Sequence, residues 1–150
     1  MSITTLGILG GGQLGSMLSI AAKKMDVKTV TYSDDENAPA KNFSDEFIFG
    51  KYDDQMLIYE FGRKVDYITY EFENIPFETL NELNKLKVVS PKPSINRLLQ
   101  HRLAEKDFIN KLNIRTTRYV SVSKRSELDS LTDFLPGILK TTTMGYDGKG

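Results

Sequence analysis

An apolar run from Ile3 to Leu9 leads straight into Gly10-Gly11-Gly12-Gln13-Leu14-Gly15, and behind these glycines Leu14, Met17, Leu18, Ala21 and Met25 recur at helical spacing. Strand, tight turn and helix in that order open a parallel α/β fold. Gly10 makes the turn, and Gly12 lets a ligand approach the backbone. A helix starting near Gln13 aims unpaired N–H groups outward. Such a terminus contributes about 0.3–1 kcal/mol, so it orients a phosphate but does not hold one alone. The alternative is that the glycines only permit close packing of helix on sheet.

The pattern continues in the same alternation. Val27–Tyr32 and Glu46–Phe49 read as strands, a helix runs from Asp53 as N-cap to Lys64, and Asp66–Tyr70 is the next strand. Pro76 opens a helix to about Leu86, and Lys87–Ser90 is one more short strand. Strands and helices at this spacing predict a parallel sheet with right-handed crossovers. Pro91-Lys92-Pro93 cannot sit inside a helix or a central strand, so the domain boundary falls there, giving 1–92 and 93–150. Beyond it, apolar residues from Ile95 to Leu112 predict one long or two abutting helices. Thr116–Val122 reads as a strand, Ser123 as the cap of a helix containing Leu128, Leu131 and Phe134, and Gly137–Lys140 as a strand feeding a second glycine loop.

Composition narrows the partners. Twenty basic and twenty acidic residues leave no single-sign field to hold a polyanion, which argues against nucleic acid. No cysteine and one histidine, His101, leave no disulfide framework and none of the usual zinc ligand sets; an oxygen-bound ion such as magnesium stays compatible. Apolar stretches are strand-length and no signal-peptide pattern opens the chain, so the expectation is a cytoplasmic protein with no membrane segment.

Three places carry chemistry. Tyr70-Glu71-Phe72-Glu73-Asn74-Ile75-Pro76 ends a buried strand in two carboxylates, which strand alternation sends to one face, where they can accept hydrogen bonds from ribose hydroxyls or an amine. Alternatively one caps the following helix and the other is solvated. Asp34 or Asp35 stands about 20 residues after the first loop, where a dinucleotide enzyme places its ribose acid, and equally where a solvated turn would form. The last is Gly145-Tyr146-Asp147-Gly148-Lys149-Gly150, preceded by Lys140. It is not a Walker A loop, since Lys149 is followed by Gly150 and Thr143 stands five before Gly148. Three glycines in six residues suggest a flap closing over a nucleotide, or else a surface hairpin. The chain stops inside this loop and reads as the front part of a longer one.

In order and spacing, G-I-L-G-G-G-Q-L-G, Y-E-F-E-N-I-P, H-R-L-A-E-K and L-K-T-T-T-M-G-Y-D-G-K-G resemble the ATP-grasp family of carboxylate–amine ligases across the whole chain. The resemblance implies a Rossmann-like pre-ATP-grasp domain over 1–92 and the beginning of an ATP-grasp domain over 93–150. It implies that ATP, magnesium and bicarbonate form carboxyphosphate, whose carboxyl group passes to the exocyclic amine of 5-aminoimidazole ribonucleotide. On the same basis Arg102 and Lys140 would contact ATP phosphates, with Gly145, Tyr146, Asp147, Gly148, Lys149 and Gly150 as the flap above them. Gln13, Leu14 and Glu71 would hold the ribonucleotide, with Glu73 as an addition, and Asp147 and Lys149 would stand near the reacting amine and bicarbonate. Metal ligands are expected past residue 150, and the full-length enzyme as a homodimer. The family usually has arginine where this chain has Thr142 and glycine where it has Met144. Another carboxylate–amine ligase, a nicotinamide-binding oxidoreductase and a noncatalytic nucleotide-binding domain are the competing assignments.

Overall fold

Five parallel strands form one sheet in the order β3-β2-β1-β4-β5 in the computed structural model, which describes residues 3–145. They are β1 (Thr5–Leu9), β2 (Lys28–Ser33), β3 (Glu46–Phe49), β4 (Tyr67–Tyr70) and β5 (Val88–Val89). The helices α1 (Gln13–Lys23), α2 (Gln55–Lys64) and α3 (Phe77–Leu86) connect them, and α4 (Pro93–Leu99) follows β5. The chain forms two compact units, Met1–Arg97 and Leu98–Gly150. The expected Rossmann-like architecture is the one found, and the strand order steps outward from β1 to β3 and then returns to β4 on the other side of β1.

The two faces of the sheet are built differently. Val30 and Tyr32 of β2 face Ile58, Phe61, Val65, Leu80 and Leu83, the large apolar core beneath α2 and α3. The opposite side of β2 presents buried Thr29, Thr31 and Ser33. There α1 buries Gly15, Ser16, Ser19 and Ala22. Both serines are satisfied within the helix, Ser16 Oγ donating to the Gly12 carbonyl (3.0 Å) and Ser19 Oγ to that of Gly15 (2.9 Å).

The apolar recurrence in α1 therefore locates the helix but points away from the sheet. Leu14 and Met17 are 57% and 58% exposed, and Met25 at the end is 74% exposed. The cause is how close α1 lies: a Cβ added at Gly15 would stand 2.4 Å from the Gly10 carbonyl oxygen, and one at Gly11 would stand 2.7 Å from the Ala38 Cβ. Only small side chains fit between helix and sheet, so the large ones face outward.

Most element boundaries agree with the sequence to within two residues. The cap of α2 is Asp54 rather than Asp53, its carboxylate accepting from the Leu57 N–H at 3.0 Å. Pro93 begins α4 and is buried, so the Pro-Lys-Pro segment leads into a helix that extends past it.

The unit from Leu98 on departs further from expectation. After α5 (Arg102–Lys111) come two short 3-10 turns, Arg125–Ser130 and Thr132–Phe134, where one helix was expected. No strand occurs among its described residues: Thr116–Val122 and Gly137–Lys140 are irregular, with Ile138 84% and Leu139 70% exposed. A β-rich stretch gains little from extension unless a neighbouring strand completes its hydrogen bonds, and none does here. Side chains hold the first stretch instead: Lys106 Nζ donates to Thr117 Oγ1 (3.0 Å), Asn110 Nδ2 to the Tyr119 hydroxyl (3.2 Å), and Arg118 lies 4.6 Å over the Phe134 ring.

Gly15→Ala is expected to destabilise the chain by about 1–3 kcal/mol, because the new methyl meets backbone rather than a movable side chain. Met17→Ala should leave urea unfolding nearly unchanged. Equal midpoints for the two variants would contradict the close approach of α1.

Candidate functional site

The strand order makes the carboxyl end of β1 the point where the chain switches direction across the sheet, the usual crevice for ligands in open α/β folds. Gly10 to Gly12 lie at that point, and Glu71 follows β4 next to it. Gly10 has φ +107°, a conformation side chains rarely adopt, and its N–H donates to the Tyr32 carbonyl at 2.9 Å. Glu71 is anchored by its own N–H to the Leu9 carbonyl (3.0 Å), and its carboxylate turns into the loop, Oε1 accepting from the Gly12 N–H at 2.9 Å. A Cβ at Gly10 would stand 2.8 Å from that oxygen, and one at Gly12 would stand 3.1 Å from it. The glycines thus make room for a carboxylate of the chain itself as well as for the helix.

This overturns the helix-cap alternative for Glu71. It does not cap α3, whose N-terminal residue Pro76 carries no side-chain cap, but sits against the entrance to α1. The expected alternation with Glu73 does not extend that far, since β4 ends at Tyr70 and Glu73 lies in an exposed turn. Gln13 and Leu14 are exposed in the first turn of α1. N–H groups of a first turn lack intrahelical acceptors, so those of Gln13 and Leu14 are suited to an anion beside Glu71.

Asp35 behaves as a turn residue, its Oδ1 accepting from the Asn37 N–H at 2.9 Å. Asp34 instead contributes to the crevice through Tyr52, which the sequence reading passed over. The Tyr52 ring is 7% exposed and stacks on Phe72, with centroids 5.8 Å apart and planes at 27°. Its phenol is held well above the ordinary range by burial first and by the charge of Asp34 next, against hydrogen bonds from Ser33 and the Asp34 backbone that favour the ionised form. Tyr32, whose hydroxyl donates to the Lys51 carbonyl at 2.7 Å, is pushed up to about 12 by burial and then by Asp54, Asp53 and Asp34. Both phenols stay neutral at physiological pH and act as hydrogen-bonding struts. The only sequence signal for Tyr52 was an aromatic residue two positions after Gly50 at the end of β3.

In the second unit Arg102 meets the start of the second glycine loop. Its N–H donates to the Thr142 carbonyl (2.9 Å), its Nε to that of Thr141 (3.1 Å), and its Nη2 to that of Gly145. One guanidinium thereby gathers the segment 141–145. His101 caps α5, Nδ1 accepting from the Ala104 N–H at 3.4 Å, which gives it a structural place. Lys140 is exposed just before the gathered segment. Tyr146, Asp147, Gly148, Lys149 and Gly150 lie outside the described residues. Among the described residues no group of three or more acidic or histidine side chains could hold a metal ion, and no helix is long and apolar enough to cross a membrane.

Met144 has φ +59° and is 68% exposed. The left-handed conformation costs a side-chain-bearing residue about 1–2 kcal/mol, and no packing offsets it at this exposure. Met144→Gly should stabilise the chain by up to about 1 kcal/mol, the glycine's extra unfolded-state freedom removing part of the gain. Met144→Val should destabilise it. Thermal unfolding in the opposite order would show that the residue is not held at positive φ.

Residues 3–100 match the family model of the ribonucleotide synthetase pre-ATP-grasp domain. The chain is 39% identical over 148 residues to N5-carboxyaminoimidazole ribonucleotide synthase of Staphylococcus aureus, covering 97% of this chain and 40% of that protein. The crystal structure of the Staphylococcus aureus N5-carboxyaminoimidazole synthetase complexed with ADP superposes with a TM-score of 0.88 at 37% identity, covering 100% of this chain and 41% of that one. The Aspergillus clavatus N5-carboxyaminoimidazole synthase, in complex with ADP and 5-aminoimidazole ribonucleotide, superposes with a TM-score of 0.76 at 25% identity, over 89% of this chain and 36% of that one. The chain thus spans about two fifths of the length of these proteins.

Proposed function

The chain belongs to the ribonucleotide synthetase pre-ATP-grasp family, and on that premise we propose that it supplies the ribonucleotide-binding part of an ATP-dependent carbon–nitrogen ligase of purine biosynthesis. The reaction is the carboxylation of 5-aminoimidazole ribonucleotide. Bicarbonate oxygen attacks the terminal phosphorus of ATP, releasing ADP and forming carboxyphosphate. The exocyclic amine then attacks the carboxyl carbon, the carbon–oxygen bond to phosphate breaks, and the amine loses a proton.

The observation that carries this assignment is the Glu71 carboxylate on the Gly12 amide. With an anion already in the loop, a pyrophosphate there would meet like charge, which disfavours the nicotinamide-dinucleotide alternative. The groups that Glu71 welcomes are hydrogen-bond donors, sugar hydroxyls or an amine, while the first-turn amides of Gln13 and Leu14 suit a single phosphate nearby. The Aspergillus clavatus relative, with ADP and 5-aminoimidazole ribonucleotide bound, supports the same pairing of ligands. Glu73 stands beside this group as a secondary contact.

In this assignment 93–150 begins the ATP-grasp domain. Lys140 and Arg102 would contact the ATP phosphates, with Gly145 to Gly150 as the flap. By the resemblance, Asp147 would take the amine proton and Lys149 would offset developing negative charge. A closed flap matters because carboxyphosphate hydrolyses readily in water. Magnesium would accompany ATP and neutralise its phosphates, and the described residues offer no three-donor cluster for it. We further propose a cytoplasmic homodimer with no nucleic-acid partner.

Phosphate release from ATP by the full-length protein should depend on both bicarbonate and 5-aminoimidazole ribonucleotide; release independent of the ribonucleotide would remove the assignment. Glu71→Ala should raise the ribonucleotide KM by about ten- to a hundredfold, the loss of a charge-assisted contact, with the ATP KM nearly intact. Lys140→Ala should do the reverse. Equal effects on both substrates from either variant would take that residue out of its proposed role.

A further inference from the structure

Resting on the function proposed above, the geometry points to Tyr52 as a positioning residue of the ribonucleotide site: by stacking on Phe72 it holds Glu71 against the first glycine loop. Phe72 is bonded directly to Glu71, so the direction of the Glu71 side chain depends on where the Phe72 ring lies. That ring is stacked on Tyr52 at 5.8 Å. Tyr52 in turn has little freedom. Two carbonyls of its loop accept hydrogen bonds from the core, that of Lys51 from the Tyr32 hydroxyl (2.7 Å) and that of Tyr52 itself from Thr79 Oγ1 of α3 (2.6 Å). Its ring also lies 5.8 Å from that of Tyr32 in the main core.

A tyrosine, rather than any apolar residue, suits this place because one side chain serves three strand ends. Its ring reaches the residue after Glu71 beyond β4, its backbone belongs to the loop after β3, and its hydroxyl lies with Ser33 and Asp34 at the end of β2. The Glu71–Gly12 bond then ties this assembly to the loop after β1. Four loops at the carboxyl edge of the sheet are thereby registered to one another. A carboxylate displaced by even about 1 Å loses much of its effect on a bound ligand.

The test uses the full-length enzyme with Tyr52→Leu, Tyr52→Phe and Val65→Ala, following both substrate KM values, kcat, thermal midpoint and hydrogen exchange at the Gly12 amide. Tyr52→Leu is expected to raise the ribonucleotide KM by about tenfold with the ATP KM within about twofold, and to speed exchange at Gly12. Tyr52→Phe, which keeps the stack, should recover most of the KM. Val65→Ala should lower the thermal midpoint yet leave the ribonucleotide KM in place, as a purely structural change in the same core would. Should Tyr52→Leu not fold, Phe72→Leu carries the same expectation. An unchanged ribonucleotide KM and Gly12 exchange, or equal rises in both KM values, would overturn the assignment. A wild-type enzyme without ribonucleotide-dependent turnover would remove the proposed function instead, and Gly12 exchange would then decide the positioning role.

Discussion

The close seat of α1 on the sheet is the constraint from which the rest of the first unit follows. With no room for a methyl group between Gly15 and the Gly10 carbonyl, the helix must present glycine, serine and alanine inward, and the adjoining side of β2 must be small and polar as well. The large apolar side chains gather on the other face beneath α2 and α3. The same closeness sets the shape of the glycine turn, and the turn makes the space that Glu71 enters.

A carboxylate of the chain at a helix entrance alters what that entrance can recognise. An open glycine loop attracts phosphate through its amides and the helix dipole. Once Glu71 accepts from Gly12, the positive end of α1 is partly neutralised there, and the exposed first turn at Gln13 and Leu14 retains the anion-attracting character. Donor-seeking and anion-seeking groups then lie side by side, an arrangement suited to a sugar phosphate. Tyr32 and Tyr52, kept neutral by burial, add rigidity without adding charge.

In the second unit polar ties replace a layered core. No residue of α5 is fully buried, and the segment after it is held by hydrogen bonds from Lys106 and Asn110 and by a cation over an aromatic ring. Arg102 performs the comparable service for 141–145, binding three of its carbonyls from one side chain and backbone amide. Met144 lies within this gathered stretch in a conformation better suited to glycine.

Local pattern was enough to read the alternation of strands and helices up to β5, the glycine turn and the acidic strand end, because each rests on interactions within a few residues along the chain. The buried face of α1, the direction of Glu71 and the packing of Tyr52 were decided by tertiary structure. The Glu71–Gly12 bond joins residues 59 apart and exists only because β4 lies beside β1 in the sheet. Thr116–Val122 shows the same limit from the other side: its residues favour a strand, but extension requires a partner to complete the ladder. Periodicity reports which residues could be buried, and only the distance between packed backbones decides which of them are.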